Sequence, residues 1–179
     1  VRAQRGNMSS GSKTRYSDTT SVYLEEKYSD GDVPTGLTHS TGVDLAPNDR
    51  WNYGAHLDVG TLTDNQTGAT LERTAVGLKL GYAFESVKLA SVLEYRVDNQ
   101  ENSTDLSVTE RTTWLTKNSL KFQLNPDWRF IGNLNYSQSE SSQGEFYDGS
   151  YTEAVAGYAY RPVANDRLNT LLKYTYFYN

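Results

Sequence analysis

The residues able to do chemistry are few, and their spacing works against them. Asp plus Glu total 22, so paired acid–base catalysis is the first possibility. Glu25 and Glu26 are adjacent, which on a strand sends them to opposite faces. Glu94 and Glu153 have parities that fit one common face, but nothing in the sequence brings them together. A nucleophile needs an oriented base, and Ser40 follows His39 directly, so the two face apart. Cysteine is absent, which removes disulfides, thiolate metal ligands and cysteine nucleophiles together. Two histidines, His39 and His56, leave little for an imidazole zinc site. His56, between Gly54 and Asp58, reads as a hydrogen-bonded histidine of a polar wall. Oxygen ligands for Ca²⁺ are offered at Asp64-Asn65, Asp98-Asn99 and Asp105, which read as polar loops. None of them has carboxylates at alternate positions followed by Gly. The expectation is a protein that is not an enzyme, with no catalytic, cofactor-binding or metal-binding residues.

Charge narrows the partners. Lys plus Arg is 17, giving a formal net charge of −5, which disfavours nucleic acid because phosphate contacts need clustered positive charge. No run reaches the roughly 18 to 20 apolar residues of a membrane helix. Against this polar background stands an excess of tyrosine: 14 Tyr, 5 Phe and 3 Trp. Tyrosine has an apolar ring and a polar tip, and so suits a boundary between oil and water.

The elements that must carry these residues alternate with period 2. From Trp51 to Gly60 the odd positions are apolar or aromatic and the even ones small or polar. From Arg73 to Phe84 one face carries Val76, Leu78, Leu80, Tyr82 and Phe84. The same pattern recurs at 87–97, 128–136 and 172–178. Strands are expected near 14–28, 37–46, 50–62, 71–84, 87–98, 111–124, 128–138, 151–162 and 167–178. Residues 1–6 lack the apolar run of an export signal and read as the end of a further strand. Several of these strands exceed the usual 5 to 6 residues and match the 9 to 11 that cross a membrane when tilted.

The connections alternate between two kinds. Tight turns rich in Pro, Asn and Asp are expected at 46–50, 84–86, 125–127 and 163–166. Longer polar loops are expected at 64–70, 98–110 and 137–149. Asp49 and Asp127 lie 78 positions apart, and Asp127 and Asp166 lie 39 apart. A hairpin repeat of about 39 residues follows, which places earlier turns near 85–86 and within 7–12.

The two faces then divide the residues. The polar face is expected to carry Asp58, Arg73, Lys79, Lys88, Glu94, Arg96, Lys117, Lys121, Arg129, Glu153, Arg161, Arg167 and Lys173, alternating with Gly, Ala and Ser. Such residues would tune ion selectivity in an open barrel, or pair with Asp58, Glu94 and Glu153 in a filled one. The aromatics gather toward strand ends. Trp51, Tyr53, Tyr82, Phe84, Phe122, Trp128, Phe130, Tyr158 and Tyr160 lie near the tight turns. Tyr95, Trp114, Tyr136, Tyr151, Tyr174, Tyr176 and Tyr178 lie toward the other end. Two belts of this kind mark the two membrane interfaces.

Long alternating strands, short turns and polar loops together resemble a Gram-negative outer-membrane β-barrel of the porin-like kind. Residues 125–129 (NPDWR) and 158–167 (YAYRPVANDR) are similar to the barrel regions of large bacterial surface proteins. The resemblance implies an all-β, antiparallel up-and-down transmembrane barrel, with short turns toward the periplasm and long loops outside. Residues 1–179 form one such domain or part of a larger barrel, an interior excerpt or a barrel of about ten strands. The function it implies is membrane scaffold or pore, located in the bacterial outer membrane. The expected partners are outer-membrane lipid and the rest of a larger barrel or other barrel subunits. Two other readings remain open: a surface-binding module using the long loops for adhesion, and a soluble all-β repeat protein.

Overall fold

A computed structural model describes residues 6–30, 35–104, 107–162 and 169–179. These residues form ten strands in one antiparallel sheet. The strands are β1 (Gly6–Arg15), β2 (Thr20–Asp30), β3 (Thr35–Leu45), β4 (Trp51–Thr63) and β5 (Thr70–Phe84). They continue as β6 (Val87–Glu101), β7 (Val108–Gln123), β8 (Trp128–Ser141), β9 (Gly149–Tyr160) and β10 (Thr170–Tyr178). Their order in the sheet is their order in the chain, an up-and-down meander. The sheet is not closed: β1 and β10 are its two edges.

Each strand touches only its sequence neighbours, apart from a single 3-10 turn at Glu145–Tyr147 resting on β8. No second layer covers either face, so the described residues enclose no ordinary core, and Ala75 is their one buried hydrophobic residue. Burial is nevertheless unequal. On β5 the residues Ala75, Gly77 and Gly81 are buried while Thr74, Val76 and Leu78 between them are exposed. A flat single sheet would expose both faces alike. This asymmetry follows from a sheet that curls toward its polar side, as right-handed twist and strand tilt require in a barrel wall.

Small residues allow that curvature. Gly77 sits opposite His56 on β4, and a Cβ at Gly77 would fall onto the imidazole ring. A Cβ at Gly42 would likewise meet the Tyr23 ring. On the tightly curved side, small residues leave room for the long ones beside them.

The tight turns use the chemistry their sequences announce. Asn48 Oδ1 accepts the backbone N–H groups of Arg50 and Trp51, both at 3.0 Å. Asn125 Oδ1 does the same for Asp127 and Trp128, at 3.0 and 2.9 Å. Glu85 occupies the left-handed region, with φ 42°, in the two-residue turn between β5 and β6.

The structure corrects several expectations. Residues 7–12, expected as a turn, lie inside β1, and the turn falls at 16–19. The run is rich in Ser and Gly, residues of poor strand propensity, but an edge position needs only one hydrogen-bonded partner, and β2 supplies it. The first hairpin step is therefore shorter than the later ones, and the 39-residue spacing is not uniform. The long loops are also shorter than expected. Strand β6 runs to Glu101 and β8 to Ser141, so Asp98-Asn99 belong to a strand and not to a loop. Residues 1–5, Asp105, the turn at 163–166 and Arg167 lie outside the described residues.

Candidate functional site: the polar wall

The register assigns every strand residue to a face. Following the cross-strand partners, Gly54, Lys79, Val92, Lys117, Asn135 and Glu153 stand in one row. His56, Gly77, Glu94, Leu115, Ser137 and Tyr151 form the next row toward the loops. By this reckoning Asp58, Arg73, Lys79, Lys88, Glu94, Arg96, Lys117, Lys121, Arg129, Glu153 and Lys173 share the polar face. Arg161 lies beyond the end of β9, where its backbone N–H donates to the Asp127 carbonyl at 2.8 Å. The register adds members that the sequence pattern left out: Lys13, Glu25, Lys27, Asp44, Asp98 and Arg111.

The opposite face carries Trp51, Tyr53, Tyr82, Phe84, Tyr95, Trp114, Trp128, Phe130, Tyr136, Tyr158, Tyr160, Tyr174, Tyr176 and Tyr178. Several pair across strands: Trp51 with Tyr82 at 4.5 Å, Tyr95 with Trp114 at 4.7 Å, Trp128 with Tyr160 at 4.7 Å. Between them lie Leu57, Val76, Leu78, Leu93 and Leu134, all exposed. Polar groups on this face find partners within the sheet. Ser91 Oγ pairs with Asn118 Oδ1 at 2.7 Å, and Asn118 Nδ2 donates to Thr116 Oγ1 and the Leu134 carbonyl. Tyr151, expected among the belts, instead faces the polar side, and its hydroxyl donates to Glu153 at 3.2 Å.

The loop half of the polar wall is a paired network. Arg73 grips Asp98 with two hydrogen bonds, Nε to Oδ1 at 2.7 Å and an η nitrogen to Oδ2 at 3.2 Å. Arg96 Nε lies 3.5 Å from the same Asp98 Oδ2, an ion pair without a hydrogen bond. Arg111 stands directly opposite Asp98 on β7 and donates to the Tyr147 carbonyl at 3.2 Å. Ser40 donates to Asp58 at 2.7 Å; at the border of the two halves, in the row of Lys79 and Lys117, Asn135 donates to Glu153 at 2.8 Å. The expected partners of the basic residues were Asp58, Glu94 and Glu153. Among the described residues these form no ion pairs, and Asp98 takes two arginines instead. His56 was expected to be hydrogen-bonded, but its Nδ1 is buried without a partner, because Gly77 beneath it offers no side chain.

The tight-turn half is different. Lys88 on β6 and Lys121 on β7 are direct cross-strand partners, and Lys173 lies farther along their row. Lys79 and Lys117 lie two rows away, toward the loops. All five are exposed. Among the described residues none forms an ion pair, and Lys79 has only the Tyr23 ring, 5.8 Å away. Arg129 donates to Gln123 at 2.8 Å. Cations outnumber carboxylates on this face although the chain is acidic overall.

The other candidate residues do not assemble into a site. His39 lies on the apolar side, 3.3 Å from Glu26, and Ser40 on the polar side. Asp64 caps its own loop by accepting the backbone N–H groups of Gln66 and Thr67, at 2.8 and 3.1 Å. Those two donors hold its carboxyl below the usual carboxylate range. Among the described residues no group of three His, Asp or Glu is placed to hold a metal ion.

Neither a family model nor a curated protein sequence matches the chain. Its fold is similar to the crystal structure of the outer membrane channel DcaP of Acinetobacter baumannii, with a TM-score of 0.72 at 13% sequence identity. The match covers 94% of this chain and 55% of that one, so the chain spans about half the length of the channel it resembles. The likeness is one of fold: an all-β, antiparallel up-and-down meander similar to that of an outer membrane channel.

Proposed function

We propose that the chain is wall of an outer-membrane β-barrel, with lipid on its aromatic face and an aqueous pore on its charged face. One observation carries this reading. A single sheet with no covering layer exposes Leu78 at 54% and Leu134 at 47% on one side, and crowds charge on the other. In water the exposed side would collapse or aggregate, whereas in a bilayer it is the solvated side. Closure follows from the same physics, because unpaired strand edges cannot face hydrocarbon. Strands β1 and β10 therefore meet further strands, from the rest of a larger barrel or from other barrel subunits. Outer-membrane lipid is the other partner, nucleic acid is not one, and the protein is a conduit or scaffold and not an enzyme.

Fractionation and conductance test this. The protein should stay with outer membranes until detergent is added, then open discrete channels in planar bilayers. A monomer soluble without detergent would overturn the membrane reading. Detergent-dependent protein without conductance would leave a scaffold and remove the pore.

A second reading, ligand binding at the loop end, is favoured by a recess of about 560 Å³. It is lined by Gln100, Thr109, Arg111, Ser141 and Gln143 among others. Shortening the 142–148 loop should then abolish attachment to a surface ligand while leaving the channel intact.

A further inference from the structure

The five lysines of the tight-turn half are the feature no structural role explains. Lys88 and Lys121 face one another across adjacent strands, where Cβ atoms stand about 4.5 to 5.5 Å apart and like charges repel. Their row continues through Ile131 and Gly157 to Lys173, with Ala83 on its other flank, and contains no carboxylate. Glu153, in the row of Lys79 and Lys117, is already occupied by Asn135 and Tyr151. Glu94 lies one row farther toward the loops and forms no ion pair among the described residues. Asp44 is held by Lys13 at 2.7 Å. The neighbours of the lysines are small, including Gly81, Ala83, Ala90 and Gly157, and all five lysines are exposed.

We infer that this lysine cluster is an anion station. It would draw small solutes bearing carboxylate, phosphate or sulfonate groups through the wall's pore and make that pore anion-selective. The inference rests on the pore reading above. The physics is that of a charged pore lining: uncompensated ammonium groups beside a low-dielectric wall raise the local concentration of anions and disfavour cations. Lysine suits passage better than arginine here. It offers a mobile point charge without the fixed fork that would hold a carboxylate in place. Repulsion between Lys88 and Lys121 is then tolerated because the passing anion relieves it.

The test uses the intact protein, extracted in detergent and inserted into bilayers of net-neutral phosphatidylcholine, so that lipid charge contributes nothing. In a tenfold KCl gradient the reversal potential should take the sign of chloride permeation, with chloride favoured severalfold over potassium. Lys88→Glu combined with Lys121→Glu should bring the ratio to unity or invert it. The milder Lys121→Gln should shift it part-way without threatening folding, since it removes a like-charge contact. Glu72→Gln, on the opposite face, changes net charge by one unit, the same magnitude as Lys121→Gln with the opposite sign, and should leave selectivity unaltered. Millimolar inorganic phosphate should reduce chloride current in the native channel and less so in Lys121→Gln. No current at all would defeat the pore reading. Current without anion preference, or selectivity that Glu72→Gln moves as much as Lys121→Gln, would overturn the anion station alone.

Discussion

The two halves of the polar wall solve the problem of carrying charge in opposite ways. At the loop end, Asp98 is held by Arg73 and Arg96 and flanked by Arg111, and the carboxylate is only 11% exposed. At the tight-turn end, five lysines stand exposed and form no ion pair among the described residues, because Asp44 is held by Lys13, and Glu153 by Asn135 and Tyr151. Burial separates the two. A charge sunk among strands must be paired, because an unpaired buried ion costs several kcal/mol. A charge that reaches water can stay bare. Ion pairs therefore tie neighbouring strands together at the loop end, whereas the lysines of the tight-turn end remain open to solvent.

Removing Asp98 should show the largest contrast between the halves. Asp98→Ala strands two arginines that were partnered, and breaking a fully buried pair costs about 3 to 5 kcal/mol. Arg73 and Arg96 are 31% and 29% exposed and can turn partly to water, so about 2 kcal/mol is expected. Urea unfolding of the protein in lipid vesicles measures it. An Asp98→Ala variant as stable as the native protein would erase the distinction between the halves.

Midway between them, Gly77→Ala tests the crowding that separates paired from bare charge. The new methyl falls on the His56 ring. Overpacking typically costs about 1 to 3 kcal/mol, and the lower end is expected because the imidazole can swing away. His56→Ala in the same background should restore the loss, read by the same unfolding curve. Failure of that rescue would place the strain in the backbone and not between these two side chains.

Much of this contrast was legible in the sequence. Alternation assigned Lys79, Lys88, Lys117, Lys121 and Lys173 to one face and Leu78, Tyr95 and Trp114 to the other, because a strand's period is fixed at two. Pairing was not legible. Asp98 opens the polar run 98–110, which reads as loop, and only the ladder with β5 and β7 carries the strand on to Glu101. The even parity it shares with Glu94 and Arg96 was the available signal. Residues 7–12 misled for the related reason that an edge strand can be built of Ser and Gly when its partner supplies the hydrogen bonds. Tyr151 misled because a tyrosine also serves as a polar donor, here to Glu153.

The lysine end should respond in the opposite direction to Asp98, and by less. Lys121→Gln removes the repulsion with Lys88 and should stabilise by a few tenths of a kcal/mol up to about 1. Stability and selectivity are then expected to move in opposite senses in one variant, unfolding midpoint up and anion preference down. A destabilised Lys121→Gln would mean that the lysine has a structural partner after all.

The smallest difference between the two ends is in their response to acid. The tight turns are closed by Asn48 and Asn125, whose amide oxygens do not titrate between pH 2 and 8. The loop between β4 and β5 is closed by Asp64, whose carboxylate accepts two backbone N–H groups. Those bonds favour the ionised form, so its carboxyl titrates lower in the folded loop than in the unfolded chain. Linkage then fixes the sign. The contribution is fully present above the unfolded carboxylate range and is lost as pH falls through the lower folded value. The Gln66 and Thr67 amide resonances should therefore hold to pH values below the ordinary aspartate range, then move together, while those of Trp51 and Trp128 stay fixed. Asp64→Asn keeps the acceptor and loses the proton, so it should flatten the transition without opening the loop. A transition that persists in Asp64→Asn would assign the acid response to another group and remove this last distinction between the ends.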